Sequence, residues 1–389
     1  MTTHVFIVNE NTFKIHLQYM FVGTGAGDKI IDFNNPSSKS VLHSTVERML
    51  VSMIADVSRI RKGDFIIFYL LQTSNSDGKF YGIFKAAQDW SFLENYNSTS
   101  QYLYIELNKS LTFRTLIEPY KVYPEGVTEW EALDEIKTIS SPSQMLWSLI
   151  YRKLKGNRGN TMITTYESSR LMFLIDKKNS SKHLKSKYFN YNNITKSIIV
   201  NSTNNKYLGN TSNILDILPR LIHKFNNRSM FEAHLQAYIV KYIGTRHNLS
   251  LDSTLLNSKY SLEWIGNEVS CGVGMQRIDV LLDMKLIGNY QENLVIPIEL
   301  KCVEANINNT KQLQRYLDWL EQYYLPNKPS IIQPVLISKE ITNKTTPNFI
   351  AILNTFKAFN TKNKVNLKYI EFNLDPVTQQ DLVFTQYIY

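Results

Sequence analysis

The sequence predicts two mixed α/β domains, of α+β and α/β character, joined by a polar linker. Three observations carry this expectation. Short β-branched and aromatic runs alternate with segments of helical period on both sides of the middle of the chain. The length of 389 residues exceeds that of one ordinary domain, and 43% hydrophobic residues are ample for two cores. Between them, residues 176–215 are rich in Asn and Ser and hold seven lysines against one aspartate, which predicts a mobile linker with one embedded strand at 197–200. The domains are therefore expected at 1–175 and 216–389.

Taken in order, residues 13–22 (FKIHLQYMFV) read as an opening strand, followed by a glycine-rich stretch that lacks the spacing of a phosphate loop. Residues 41–58 have helical periodicity. Residues 65–71 form a strong strand, and Asn75-Ser-Asp-Gly78 turns it into a second strand at 80–86. Residues 140–154 read as an amphipathic helix whose basic end, with Arg152, Lys153, Lys155 and Arg158, is suited to phosphates. Residues 164–175 close the first domain. In the second, helices are expected near 214–225 and 229–243 and a strand at 262–269. Further on come a strand near 331–337 with Pro334 at an edge or bulge, a helix at 349–359 and a last strand at 366–372.

The chemistry concentrates between Arg277 and Tyr316. Ile278–Leu282 and Leu294–Leu300 are apolar runs around a Gly288-Asn289 turn, so an antiparallel hairpin is expected. Each run contains an acid that a core strand does not tolerate, Asp279 and Glu299. Residues two apart on a strand share a face, ~7 Å apart, so Glu299 and Lys301 share one and Asp279 can sit opposite. Converging carboxylates repel each other, and an oxygen-ligated hard cation, Mg²⁺ or Mn²⁺, removes the conflict. Lys301 beside it would orient water or steady charge on phosphate, the inventory of phosphodiester hydrolysis. On the helix that follows, Leu313, Leu317 and Leu320 face the core, while Gln312 and Tyr316 lie four apart with Arg315 beside them.

Asp279, Glu299-Leu300-Lys301 and Gln312-x-x-x-Tyr316 resemble the signature of PD-(D/E)XK nucleases with the QxxxY helix of RecB-type members. The wider wording is similar to the NucS/EndoMS mismatch endonucleases and related restriction nucleases. The resemblance implies a restriction-endonuclease-like sheet for 216–389. It implies Asp279, Glu299 and the Leu300 carbonyl as metal ligands, Lys301 as catalytic lysine, and Gln312 and Tyr316 in support. Glu232 would be the acid on the domain's first helix. Ile278, rather than proline, precedes the aspartate. In the first half, IRKGDFIIFYLLQ and GKFYGIFKAAQDW resemble the core of EVE/YTH domains of the PUA-like superfamily, small mixed barrels that bind nucleic acid. That likeness implies an aromatic pocket for a base, with Trp90 first and Tyr19 second as its walls.

Net charge of +9 favours a polyanionic partner, and the nuclease resemblance implies that it is DNA. No run of eighteen apolar residues occurs and the first residues lack a signal-peptide pattern, so a cytoplasmic protein without membrane contact is expected. Cys271 and Cys302 are too few for a disulfide framework or a cysteine-rich zinc site. The expectation is thus a Mg²⁺-dependent, homodimeric endonuclease without a small-molecule cofactor, acting in restriction and defence. Mismatch or branched-DNA repair is the alternative within enzymes, and a non-catalytic reader the alternative outside them.

Overall fold

The computed structural model describes residues 1–25, 44–74, 76–150, 159–203, 205–272, 276–325 and 330–389. The chain is mixed α/β and divides into two compact units, the first ending at Asp216 and the second starting at Ile217.

The first unit contains β1 (Thr3–Val8), α1 (Glu10–Tyr19), β2 (Phe21–Thr24), α2 (Ser44–Ser58), β3 (Phe65–Leu70), β4 (Lys79–Ala86), β5 (Phe113–Pro119), β6 (Asn160–Ile163), α3 (Thr165–Lys178), β7 (Phe189–Asn192) and β8 (Ser197–Val200). Its main sheet has the order β2-β5-β4-β3-β1-β6, with β1 and β3 parallel and the other neighbours antiparallel. The described pairings leave this sheet open at β2 and β6, so they do not close the expected barrel. The unbroken apolar run of β3 follows from burial on both faces. Ile66, Phe68 and Leu70 enter one core cluster, and Ile67 and Tyr69 another.

Three expectations are corrected here. Residues 13–22 are not one strand: α1 runs to Tyr19 and only Phe21–Thr24 is extended. A capping box starts the helix, with the Asn9 side chain accepting from Thr12 N–H (2.9 Å) and the Thr12 hydroxyl accepting from Asn9 N–H (3.1 Å). Phe13 and Leu17, four apart, then bury one face. Second, residues 140–150 form a 3-10 turn at Pro142–Gln144 and a four-residue helix at Trp147–Ile150, because Met145 is extended between them. Third, 176–215 is not a linker. It begins inside α3 and continues into the β7–β8 hairpin, whose Phe189, Tyr191 and Ile198 are buried with Phe13, Phe68 and Tyr81. Tyr81 donates to the Lys196 carbonyl at 2.7 Å, and Leu93 N–H donates to that of Asn213. Alternating aromatic anchors thus hold a segment whose average composition is polar.

The Gly63-Asp64 turn has a structural task. Asp64 is buried, accepts from Thr2 N–H (2.8 Å) and Arg61 N–H (2.9 Å), and meets His4 Nε2 at 3.0 Å, which ties β1 to the start of β3.

The second unit contains α4 (Leu218–Asn226), α5 (Glu232–Tyr242), α6 (Leu249–Leu255), β9 (Tyr260–Ser270), β10 (Arg277–Leu286), β11 (Asn289–Glu304), α7 (Asn309–Trp319), β12 (Ser330–Ile332), β13 (Val335–Lys339), α8 (Pro347–Asn363), β14 (Lys368–Leu374) and β15 (Leu382–Tyr387). The sheet order is β9-β10-β11-β13-β14-β15, with β12 also on β11. Strands β9 to β11 are antiparallel, β11, β13 and β14 are parallel, and β15 returns antiparallel. Pro334 marks the break between β12 and β13, and β13 is internal, so neither an edge nor a bulge describes it. Among the described residues, no helix is long and apolar enough to cross a membrane.

His16 allows a test of the first unit's core. It is fully buried, its ring lies 4.8 Å from that of Phe21 and 5.8 Å from that of Phe68, and neither nitrogen has a hydrogen-bond partner among the described residues. Burial, with Arg114 and Lys109 nearby, lowers its pKa to about 3. A group whose folded pKa lies below its unfolded value of ~6.5 binds protons preferentially in the unfolded chain, so stability falls as pH drops from ~6.5 toward 3. Urea unfolding at pH 6.5 and 5 should show wild type losing about 1–2 kcal/mol more than His16→Phe. Equal losses would show that His16 does not set this dependence.

Candidate active site

The β10–β11 hairpin builds the centre of the site. Its register pairs Val280 with Ile298, so Asp279 and Glu299 are next in line. Asp279 Oδ2 accepts from Leu300 N–H at 2.8 Å, which turns that carboxylate toward β11. Glu299 is fully buried. The two carboxylates face each other with too few donors. Burial first, and then the charge of Glu299, pushes the Asp279 pKa well above the usual carboxylate range. Glu299 is also shifted up, by burial, although Lys301 and Tyr316 oppose the shift.

Lys301 holds the cluster together. Its ammonium is ion-paired with Glu299 Oε1 at 2.5 Å, and donates to the Leu300 carbonyl (3.0 Å) and to Glu232 Oε1 (3.1 Å). Burial disfavours the charged lysine, but the surrounding carboxylates outweigh it and raise its pKa. Glu232 arrives on the first turn of α5, where His234 Nδ1 accepts the Phe231 N–H at 3.0 Å.

Helix α7 covers the other side. Gln312 and Tyr316, one turn apart, are linked by Gln312 Nε2 donating to the Tyr316 hydroxyl at 3.0 Å. That hydroxyl lies 2.6 Å from Glu299 Oε2 and 2.9 Å from the Arg277 carbonyl. With one hydrogen to give, it serves one acceptor at a time. Burial, with Asp279 and Glu299 adding to it, raises the tyrosine's pKa, so it remains a donor at neutral pH.

Asp279, Glu299, Leu300, Lys301, Glu232, Gln312 and Tyr316 are therefore brought into one connected cluster. Arg315 is on the same helix but exposed. Trp90 and Tyr19 belong to the first unit and meet different neighbours. Trp90 follows β4 with its backbone in the left-handed region, its N–H on the Ile60 carbonyl and the Arg61 guanidinium 5.8 Å from the ring centre. Tyr19 ends α1 and packs edge-on against Tyr102. Arg152, Lys153, Lys155 and Arg158 lie outside the described residues.

The sequence reading missed Gln236. It lies one turn after Glu232 on α5 and donates through Nε2 to the Asp279 carbonyl at 2.7 Å. That bond fixes its amide orientation and leaves Oε1 buried without a donor among the described residues. The i, i+4 spacing from Glu232 was the available signal. Asp283, four residues after Asp279 on β10, makes a useful contrast. It is buried more deeply than Asp279, but Asn293 (3.0 Å) and Tyr324 (2.8 Å) each give a neutral donor to one of its oxygens. Asp283 reads as structure, whereas the Asp279–Glu299 pair does not.

Among the described residues, no three His, Cys, Asp or Glu side chains form a ready-made cation cage. The donor chemistry still suits a hard divalent ion. Asp279, Glu299 and the Leu300 carbonyl are oxygen ligands, and the Gln236 oxygen is an unmatched acceptor beside them. If ionised, Asp279, Glu299 and Glu232 bring three negative charges against the single ammonium of Lys301, and the deficit equals one divalent cation.

No family model matches the chain, and no curated protein matches it. Among solved structures, that of a hypothetical protein from Leishmania major aligns with 46% of this chain and 96% of that chain, at 8% identity and a TM-score of 0.28. That likeness is too slight to carry an argument about fold or function.

Replacing one of the two carboxylates should stabilise the metal-free protein, since Asn at 279 keeps an acceptor for Leu300 N–H and removes the repulsion. In EDTA at pH 7.5, Asp279→Asn should melt ~2–4 °C above wild type, corresponding to about 1 kcal/mol for a unit of this size. Asp283→Asn, which disrupts a satisfied network, should melt lower. A drop of the same size in both variants would show that Asp279 is an ordinary structural acid.

Proposed function

We propose that the chain is a Mg²⁺-dependent endonuclease of the PD-(D/E)XK type acting on DNA. The observation that carries this reading is the Asp279–Glu299 pair, a half-buried and a fully buried carboxylate short of positive charge beside a lysine. The order of strands and the covering helices of the second unit are compatible with a restriction-endonuclease-like sheet. The first unit is read as a PUA-like module that selects the target, supported by its mixed sheet and its sequence likeness. The proposed setting is restriction and defence in the cytoplasm. One such site per chain calls for a homodimer when both DNA strands are cut.

In this mechanism Asp279, Glu299 and the Leu300 carbonyl would hold the ion. When bound, it supplies charge neutralisation at the scissile phosphate and acidifies water there. Lys301 donates to the attacking water or to a phosphate oxygen. Tyr316 orients Glu299, Gln312 orients Tyr316, and Glu232 shares the lysine. Gln236 holds the backbone of Asp279 and thereby the reach of its carboxylate.

Plasmid and phage DNA, modified and unmodified, incubated with Mg²⁺ and resolved on a gel, test the reading. Cleavage should vanish in EDTA and be poorly supported by Ca²⁺. Glu299→Gln and Lys301→Ala should each reduce it at least ~100-fold with fold and DNA binding retained. Wild-type cutting by Glu299→Gln would remove the assignment.

A further inference from the structure

A groove of about 540 Å³ opens in the second unit beside the strand that bears Lys301, lined by Phe225, Arg228, Met230, Val303, Glu304 and Lys339, with the Cys302 thiol among them. Its lining combines apolar and cationic side chains with one acid, Glu304. Phe225, Met230 and Val303 provide apolar contact, and Val303 is 57% exposed. Arg228 and Lys339 provide cations, and neither is ion-paired among the described residues. The Lys339 ammonium lies 4.8 Å from the Phe225 ring centre.

Two local features tie this groove to the site. Between Leu300 and Glu304, β11 advances four residues while β13 advances only from Ile337 to Lys339. This bulge spans Lys301 and the groove-lining Val303, and bulges commonly re-aim side chains beside active sites. Arg228 stands just past the end of α4, at φ 51°, where Ser229 N–H closes back on the Lys224 carbonyl. That position is usually glycine, because a Cβ is strained there. A cation is not needed at this end for the helix dipole, since His223 and Lys224 already occupy the last turn.

We propose that this groove is a subsite for an unpaired nucleotide of DNA flanking the scissile phosphate. Duplex backbone calls for cations alone, whereas a single strand calls for cations on its phosphates and an apolar platform for its base. The inference rests on the nuclease reading and names a part of the substrate that the carboxylate cluster does not contact. It favours junctions between duplex and single strand over blunt duplex.

The test is binding of the full chain, in Ca²⁺, to fluorescein-labelled DNA of one sequence, either blunt or with a 3′ or 5′ single-stranded overhang. Wild type should prefer one overhang by about tenfold or more. Val303→Glu, at an exposed position, should remove the preference while its melting temperature stays unchanged. Arg228→Gly suits the backbone there and should leave stability unchanged or higher. It should nevertheless weaken overhang binding and reduce its log–log salt slope by about 0.7. Equal affinity of wild type for blunt and overhang DNA, or an overhang preference that survives both substitutions, would overturn the subsite. Cleavage assays on the same DNAs keep the two ideas separable. Glu299-dependent cutting without overhang preference removes the groove alone, and overhang binding sensitive to Val303→Glu without any cutting removes the nuclease reading alone.

Discussion

The second unit is organised around a repulsion. Asp279 and Glu299 are adjacent across a hairpin and flanked on both strands by apolar residues, and Glu299 is fully buried while Asp279 is half-buried. Burying a charge is costly unless it is paired, and one lysine is not enough for two carboxylates and Glu232. The neighbours make sense as responses to this shortage. Leu300 N–H, Lys301, Tyr316 and, one bond further out, Gln312 each direct a donor inward. Gln236 secures the main chain from which Asp279 projects.

The sheet makes such a cluster mechanically possible. Strand β11 is sixteen residues long and lies between an antiparallel partner, β10, and a parallel one, β13. Antiparallel pairing fixes the register that sets Asp279 next to Glu299. Parallel pairing with β13 makes β11 an interior strand, and Glu299 is fully buried on it. The two helices that complete the site come from opposite directions in sequence, α5 before the hairpin and α7 after it. Each contributes polar residues four apart, the spacing that presents two side chains from one helix face.

Much of this was legible in the sequence, and the reasons for the failures are physical. Asp279, Glu299 and Lys301 stood out because acids in an apolar hairpin have few structural explanations. Gln236 did not, since a glutamine on a mostly buried helix has many, and its partner is a backbone carbonyl that no sequence pattern marks. Residues 13–22 misled because Phe, Ile, Tyr and Val favour strands, while the Asn9–Thr12 capping box decided for helix locally. Residues 176–215 misled because composition averages over a segment. Phe189, Tyr191 and Ile198 are a minority in it, yet they are the residues that enter the core. The final strand, Leu382–Tyr387, follows the last one expected, at 366–372, and its Leu382 and Phe384 alternate inward against β14.

Asp283 shows why burial of an acid alone does not define a site. Both acids lie on β10, four residues apart, in strands of similar apolar content. At Asp283 the surrounding side chains Asn293 and Tyr324 are neutral donors, one to each oxygen, and no second carboxylate is paired with it as Glu299 is with Asp279. At Asp279 the nearest groups are another carboxylate, a lysine shared three ways and a glutamine whose free end accepts rather than donates. A fold needing only a stable hairpin could repeat the Asp283 solution, or use apolar residues, at Asp279. Keeping an uncompensated pair there has a stabilising counterpart only when something with positive charge is bound. The same logic extends to Arg228, a side chain kept in a backbone conformation that glycine adopts more easily. Both positions depart from what folding alone favours, and both lie beside the β11 segment that contains Lys301. The departures from local preference in this unit thus gather where a polyanion would be held, and they differ in kind. The carboxylates call for a cation, whereas the groove offers cations of its own.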